Sequence, residues 1–435
     1  MKPVRAFLYG FLIATAACCL IAAAGHYALS QERLATVVAS AYAMAQFEYI
    51  PQGRISDPFS DCALLIMEKL RAPGLIGDLV TTRLTLDYKS HPCDVAASLL
   101  GVPGHPAMNM PPAELYVNYP FGPRHLLSLA LSGLEVFQVR AIYLITSCLA
   151  AAALLVGAMR HSAAKTAALV PLVAVLCFAF SLHILGGSLA QAPPMFVGPA
   201  MLAALLIGKD RFRPWPARIA FFAALGVMTT FFDMLNGSLA ALLALAIVLN
   251  QLFYGETRGL KPVWQAVAIA AIFTAAYVLF TALRLAVLKY GFGAEIAHYF
   301  TGLASRTGTG VDDINVSRAQ VLRRLWDYRS LISPFGRDFA GALLVAGAVG
   351  WIVTLAAAPR LWGDAEWRAN VIALAFGAPG LLAWIALFPN HSYAHPQFIA
   401  RLLALAAGFG LVAVWLMAAR MKRLFPGAGG DPKPA

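Results

Sequence analysis

Charge is scarce in this sequence. Asp, Glu, Lys and Arg make up 12% of its 435 residues, hydrophobic residues make up 60%, and the mean hydropathy is +0.71. Soluble domains carry about 25% charged residues, so the balance excludes that class and implies an integral membrane protein. Long acidic, Ser-rich or Gln-rich tracts are also missing, as are internal repeats, and only the tail 426–435 has the composition of a disordered end. There is no CxxC pair, no HExxH pattern and no Gly-rich phosphate loop. Thiolate zinc sites, zinc-protease sites and nucleotide-binding loops lose their usual signatures with them. The formal charge of +12 would suggest nucleic acid in a soluble chain. Here the basic residues lie mainly in loops beside apolar runs, so membrane lipids are the expected partner and nucleic acid is not.

The apolar runs are the main content. A spanning helix needs about 20 apolar residues to cross a hydrocarbon core roughly 30 Å thick. Ten stretches qualify: 6–28, 139–159, 166–186, 194–208, 217–233, 238–254, 263–287, 338–358, 370–388 and 397–419. Lys2, Arg5, Arg160, Lys165, Lys209, Arg211, Arg213, Arg218, Arg258, Lys261, Arg360, Arg368, Arg420, Lys422 and Arg423 all fall on one side of this ladder. The short loops 187–193, 234–237 and 389–396 on the other side carry no Lys or Arg. The apolar runs predict an all-α membrane protein, and the positive-inside rule puts both termini in the cytoplasm; a bacterial inner membrane is the expected setting. Residues 1–425 read as a single polytopic domain. The first run is read as an uncleaved anchor, because 6–28 is longer than the apolar core of a signal peptide.

Two long outer segments, 30–138 and 290–337, interrupt the spans. Leu34, Val37, Val38, Ala41 and Met44 recur at helical spacing, which predicts a helix along the membrane interface, and a second is expected at 125–137. Cys18, Cys19, Cys148 and Cys177 lie within expected spans and read as small apolar residues. Cys62 and Cys93 share the first outer segment, where an oxidising compartment would allow a disulfide if their Cα atoms approach closely enough.

The chemistry is expected on the outer face. Asp57 and Asp61 stand four apart before an apolar helix. Each can be read as a helix cap or as a general base, and together they could share a divalent cation; no other cofactor is called for. Arg124 and His125 open a helix after a Pro/Gly turn, an arrangement suited either to a phosphate or to lipid headgroups. Gln191, Asp233, Asn236 and Arg284 lie near the outer ends of spans. In LFPNHSYAHPQFIARLL, 387–403, Asn390, His391 and His395 precede Arg401, which falls inside the tenth span. Pro396 disfavours a continuous helix through the two histidines, so a donor cluster is preferred to a metal pair. An arginine at that depth needs an anionic partner, such as a lipid phosphate, Asp61 or Asp233.

This layout resembles the GT-C superfamily of membrane glycosyltransferases. The likeness lies in the first span, the long first outer segment with an acidic motif, and some ten spans. SDCALLIMEKL and NHSYAHPQFIAR are also similar to segments of little-characterised bacterial membrane proteins of that type. The resemblance implies a polyprenyl-phosphate-sugar donor and a glycan, lipid or protein acceptor in the cell envelope. It implies Asp61 or Asp57 as base and Arg124, Arg401, His391 and His395 near the departing phosphate. The adjacent acidic dipeptide of several GT-C families is absent from 30–138, which leaves the choice between the two aspartates open. A transporter or lipid flippase is the alternative, with polar groups near the midplane of related halves. A membrane acyltransferase built around histidine is a third class.

Overall fold

A computed structural model of the chain describes residues 2–47, 58–72, 74–80, 83–85, 90–109, 112, 114–115, 122–161, 167, 169–174, 177, 186–232, 238–293, 296–307, 316–331, 335–394 and 396–424. Almost everything described is helix. The described residues include seven helices long and apolar enough to cross a membrane. The exception to helix is a two-residue antiparallel pairing of Arg83–Leu84 with Glu114–Leu115.

In chain order the helices begin with α1 (Pro3–Ala28). The first outer segment then supplies α2 (Gln31–Ala43), α3 (Pro58–Lys69), α4 (Leu75–Val80), α5 (Pro92–Leu99) and α6 (Gly122–Leu131). The bundle continues with α7 (Val136–Met159), α8 (Ala192–Ile207), α9 (Trp215–Phe232), α10 (Ser238–Tyr254) and α11 (Lys261–Ala286). The second outer segment gives α12 (Ala297–Thr307) and α13 (Arg318–Asp327), followed by α14 (Arg337–Leu361), α15 (Ala365–Leu387), α16 (Pro389–Ala394) and α17 (Pro396–Leu424). Most of the expected third span, 166–186, lies outside the described residues, although 169–174 are helical.

Local chemistry sets the helix starts. Ser30 accepts the Arg33 backbone N–H at 3.1 Å to open α2. Ser317 and Gln320 cap α13 reciprocally, and Asp364 accepts the Trp367 N–H at 2.8 Å to open α15. The short helix α10 is apolar on every side and almost wholly enclosed by its neighbours, whereas α1 and α14 turn Leu8, Leu12, Leu20, Val345, Ile352 and Leu355 outward. A helix apolar all round belongs in the interior, and one with an outward apolar stripe suits lipid.

The α2 stripe behaves differently from the interfacial helix expected. Leu34, Val37, Val38 and Ala41 are buried by protein, in a cluster with Leu64, Leu65, Val95, Leu127 and Leu131. The segment between α1 and α7 thus has its own apolar core, seated on the end of the bundle formed by the C-terminal end of α1 and the start of α7. Cys62 and Cys93 are joined in this core by a disulfide, with Cα atoms 4.9 Å apart.

Small residues let the spans touch backbone to backbone. A Cβ on Gly347 would lie 2.4 Å from the Cα of Ala407, and one on Gly410 would lie 2.2 Å from the Gly347 carbonyl oxygen. In lipid, where tails are as apolar as side chains, such close packing supplies much of the attraction between helices. Gly347→Leu is therefore expected to cost about 1–3 kcal/mol or more, read as a lower Tm in detergent. Gly380→Leu, at a helical position with nothing within 4 Å, is the control expected to leave Tm unchanged or raise it.

Candidate functional site

The segment between α1 and α7 is fixed to the bundle by charge as well as by its apolar core. Asp61, in the first turn of α3, has no exposed surface. Its Oδ1 accepts from the Ser188 hydroxyl at 2.6 Å and from the Ala190 N–H at 3.2 Å. Its Oδ2 accepts from Arg140 Nη2 at 2.8 Å. Arg140, in the second turn of α7, also donates to the Gln46 carbonyl at 2.7 Å and stacks over the Phe47 ring. Beside it, Gln191 donates from Nε2 to the Ser60 hydroxyl at 3.2 Å. One carboxylate therefore ties the segments around 46, 61, 140 and 188–191 into a single junction.

This geometry bears on the expected role of Asp61. Both of its oxygens accept from protein donors, at 2.6, 2.8 and 3.2 Å, one of them a guanidinium, so the fold itself holds the carboxylate in place. Arg140, rather than Arg401, supplies its ion pair. The arrangement is that of a structural anchor.

A second network stands two helical turns further along α3. Arg124 on α6 pairs with Asp78 of α4 at 2.6 Å and, more loosely, with Glu68 of α3 at 3.5 Å. Arg71 reaches Glu68 at 3.3 Å and donates to the His26 carbonyl at 2.9 Å. His26, near the C-terminal end of α1, has its Nδ1 2.8 Å from Asp78 Oδ2. The backbones of α1 and α6 meet here, since a Cβ on Gly25 would fall 2.4 Å from the His125 carbonyl oxygen. Glu68, Asp78, Arg124 and His125 are buried, and the network reaches solvent through His26 and Arg71, whose side chains are 14% and 20% exposed.

Burial sets the electrostatics of this network. Desolvation pushes the Glu68 carboxyl above its usual range, outweighing the pull of Arg124, the Ser128 hydroxyl and Arg71. The distances account for this, because Arg124 gives its short contact to Asp78. Desolvation also lowers His125 well below 6.5, helped by the charges of Arg124, His26 and Arg71. The imidazole is thus neutral at pH 7. Arg124 Nη2 lies 3.3 Å from its Nε2, so that nitrogen accepts and the proton resides on Nδ1, on the side of Asp78. Paired titratable groups displaced from their ordinary ranges are typical of sites that move protons, although structural ion pairs displace them too.

The remaining candidates fall elsewhere. Asn390 donates to the Ser305 carbonyl at 3.1 Å, linking α16 to α12. Arg324 of α13 donates to the Tyr393 carbonyl at 3.2 Å and lies over the Tyr393 and Tyr328 rings. His391, Ser392 and Arg401 are buried nearby in the chain, as is Arg284 near the end of α11. Asp57, Asp233, Asn236 and His395 lie outside the described residues. Among the described residues, no group of three or more His, Cys, Asp or Glu side chains is placed to hold a metal ion.

Sequence reasoning passed over Glu68, Asp78, His26, Arg71, Arg140 and Ser188. A signal was present for one of them: Arg140 in VFQVRAIY is a single charge set in an apolar run, where an unpaired charge would be costly.

No family model, curated protein or solved structure matches this chain.

The lowered His125 gives a signed pH dependence. An imidazole kept neutral in the fold but protonated in the unfolded chain removes stability as pH falls below about 6.5, by up to about 1.4 kcal/mol per pH unit. Glu68 has the opposite sign, because a raised carboxyl pKa favours the fold as pH falls. His125→Gln removes only the first effect, so the Tm difference between the native protein and the variant should shrink between pH 7.5 and 5. Thermal denaturation in detergent across that range measures it.

Proposed function

We propose that this chain is a membrane glycosyltransferase of the GT-C type, using a polyprenyl-phosphate sugar on the extracytoplasmic face of a bacterial inner membrane. In this reading there are ten spans and both termini are cytoplasmic. The seven long apolar helices, the two shorter ones at Ala192–Ile207 and Leu239–Tyr254, and the stretch 166–186 make up the ten.

The observation that carries the reading is the Glu68–Asp78–Arg124 network. It sets a carboxyl raised by burial beside two guanidiniums and two imidazoles, where the first outer segment meets α1. A general base works best when its pKa approaches the operating pH, and a departing phosphate needs positive charge aimed at it. With Asp61 held by Arg140, Glu68 is the better placed base among the described residues, and Asp57 remains a candidate outside them.

The reaction would be a displacement at the anomeric carbon. The acceptor hydroxyl gives its proton to the carboxylate, its oxygen bonds to the sugar, and the bond from sugar to phosphate breaks. Polyprenyl phosphate leaves with the electron pair, beside Arg71 and Arg124. The apolar walls of the bundle would carry the polyprenyl tail.

A transporter or flippase would set its charges on broken helices near the bilayer midplane. Glu68, Asp78 and Arg124 belong instead to α3, α4 and α6, outside the long apolar helices, which weighs toward the enzyme.

Purified protein incubated with a panel of polyprenyl-phosphate sugars and envelope-lipid acceptors is expected to consume one donor and release polyprenyl phosphate. Glu68→Gln should slow that turnover by about 100-fold or more with little change in Tm. Failure to consume any donor, or full activity in Glu68→Gln, would contradict the proposal.

A further inference from the structure

At the end of the bundle opposite the Asp61 and Glu68 networks, three helices leave an open apolar groove of about 350 Å³. Val4 and Phe7 of α1, Trp215 and Ile219 of α9, and Ala268 and Ile272 of α11 line it. On α11 the positions 261, 264, 268 and 272 fall on one helical face. Lys261 and the exposed Trp264 therefore continue the lining toward the end of the helix. An aromatic at that level suits the boundary between headgroups and acyl chains.

The charge around the groove is one-sided. Lys2 and Arg5 flank the α1 lining residues and are exposed, as are Lys209, Arg211 and Arg213 just ahead of α9. Arg218 is buried and places its guanidinium 4.9 Å from the Trp215 ring centre, turning positive charge toward a lining residue. Arg258 and Lys261 precede the α11 lining, and Lys261 pairs with Glu256. Acidic residues in these three stretches are limited to Asp210 and Glu256, against eight basic ones.

We infer that this groove is a binding site for one anionic phospholipid of the adjacent leaflet. An acyl chain would lie along Phe7, Ile219 and Ile272, and the headgroup phosphate among Arg5, the Arg211–Arg213 turn and Lys261. An apolar trough open along its length fits a lipid tail, and a cationic mouth selects a headgroup with net negative charge over a zwitterionic one. The site lies at the other end of α1 from the proposed catalytic network and does not depend on the activity assigned there.

The test uses full-length protein in nanodiscs of equal parts phosphatidylglycerol and phosphatidylcholine, released for native mass spectrometry. Retained lipid should be enriched in phosphatidylglycerol by about fivefold or more. Ala268→Phe, which fills the groove at a half-buried position, should abolish retention of one lipid molecule. Arg5→Gln, an exposed change that disturbs no packing, should lower the phosphatidylglycerol preference without changing the total retained. Equal retention of the two lipids by the native protein would overturn the inference, and so would unchanged retention and preference in both variants.

Discussion

A carboxylate taken wholly out of water must find its charge partner inside the protein, and that requirement organises the segment between α1 and α7 and its seat on the bundle. Asp61 meets it with Arg140 and with the Ser188 hydroxyl and Ala190 N–H. Asp78 meets it with Arg124 and His26. Each pair joins residues far apart in sequence, so making the pairs and closing the outer segment onto the bundle are one event. The apolar cluster of Leu34, Leu65, Val95 and Leu127 supplies area and the Cys62–Cys93 bridge restrains the chain, but neither is directional in the way an ion pair is. Buried pairs add little net stability compared with well-packed apolar groups, yet losing one partner is severe, and such pairs act mainly to fix one arrangement.

The same accounting distinguishes the two carboxyls of α3. Asp61 is held by three close donors, Arg140, the Ser188 hydroxyl and the Ala190 N–H. Glu68 receives the longer contacts of Arg71 and Arg124 together with the Ser128 hydroxyl, yet desolvation outweighs them and its carboxyl is raised. Seven residues along one helix thus separate an anchor from a group suited to exchanging a proton, and the proposal assigns them different work on that basis.

What the sequence made legible follows from the range of each signal. Apolar length carries the spans: seven of the ten expected stretches coincide with helices long and apolar enough to cross a membrane, and two more with the shorter apolar helices Ala192–Ile207 and Leu239–Tyr254. The α2 helix was visible in the spacing of Leu34, Val37, Val38 and Ala41, but its destination was not, because periodicity says that a face is buried and not by what. The short helix α10 reads like any other span, although its neighbours rather than lipid enclose it. Candidate charges were chosen for their loop positions, which pointed to Asp61 and Arg124. Their partners Arg140, Glu68, Asp78 and His26 sit inside or beside apolar runs and were passed over. Pairings across 46 to 79 positions depend on how the segments pack, and no local pattern encodes that.

The central claim is that paired charge fixes the segment between α1 and α7 on the bundle, and a charge cycle at Asp61 and Arg140 tests it most directly. Thermal unfolding in detergent would be compared for the native protein, Asp61→Asn, Arg140→Met and Asp61→Leu combined with Arg140→Met. Each single change should cost about 3–5 kcal/mol by leaving a charge or a donor set buried without its partner, and the double apolar change should recover much of that loss. An unchanged Tm in both single variants would contradict the account.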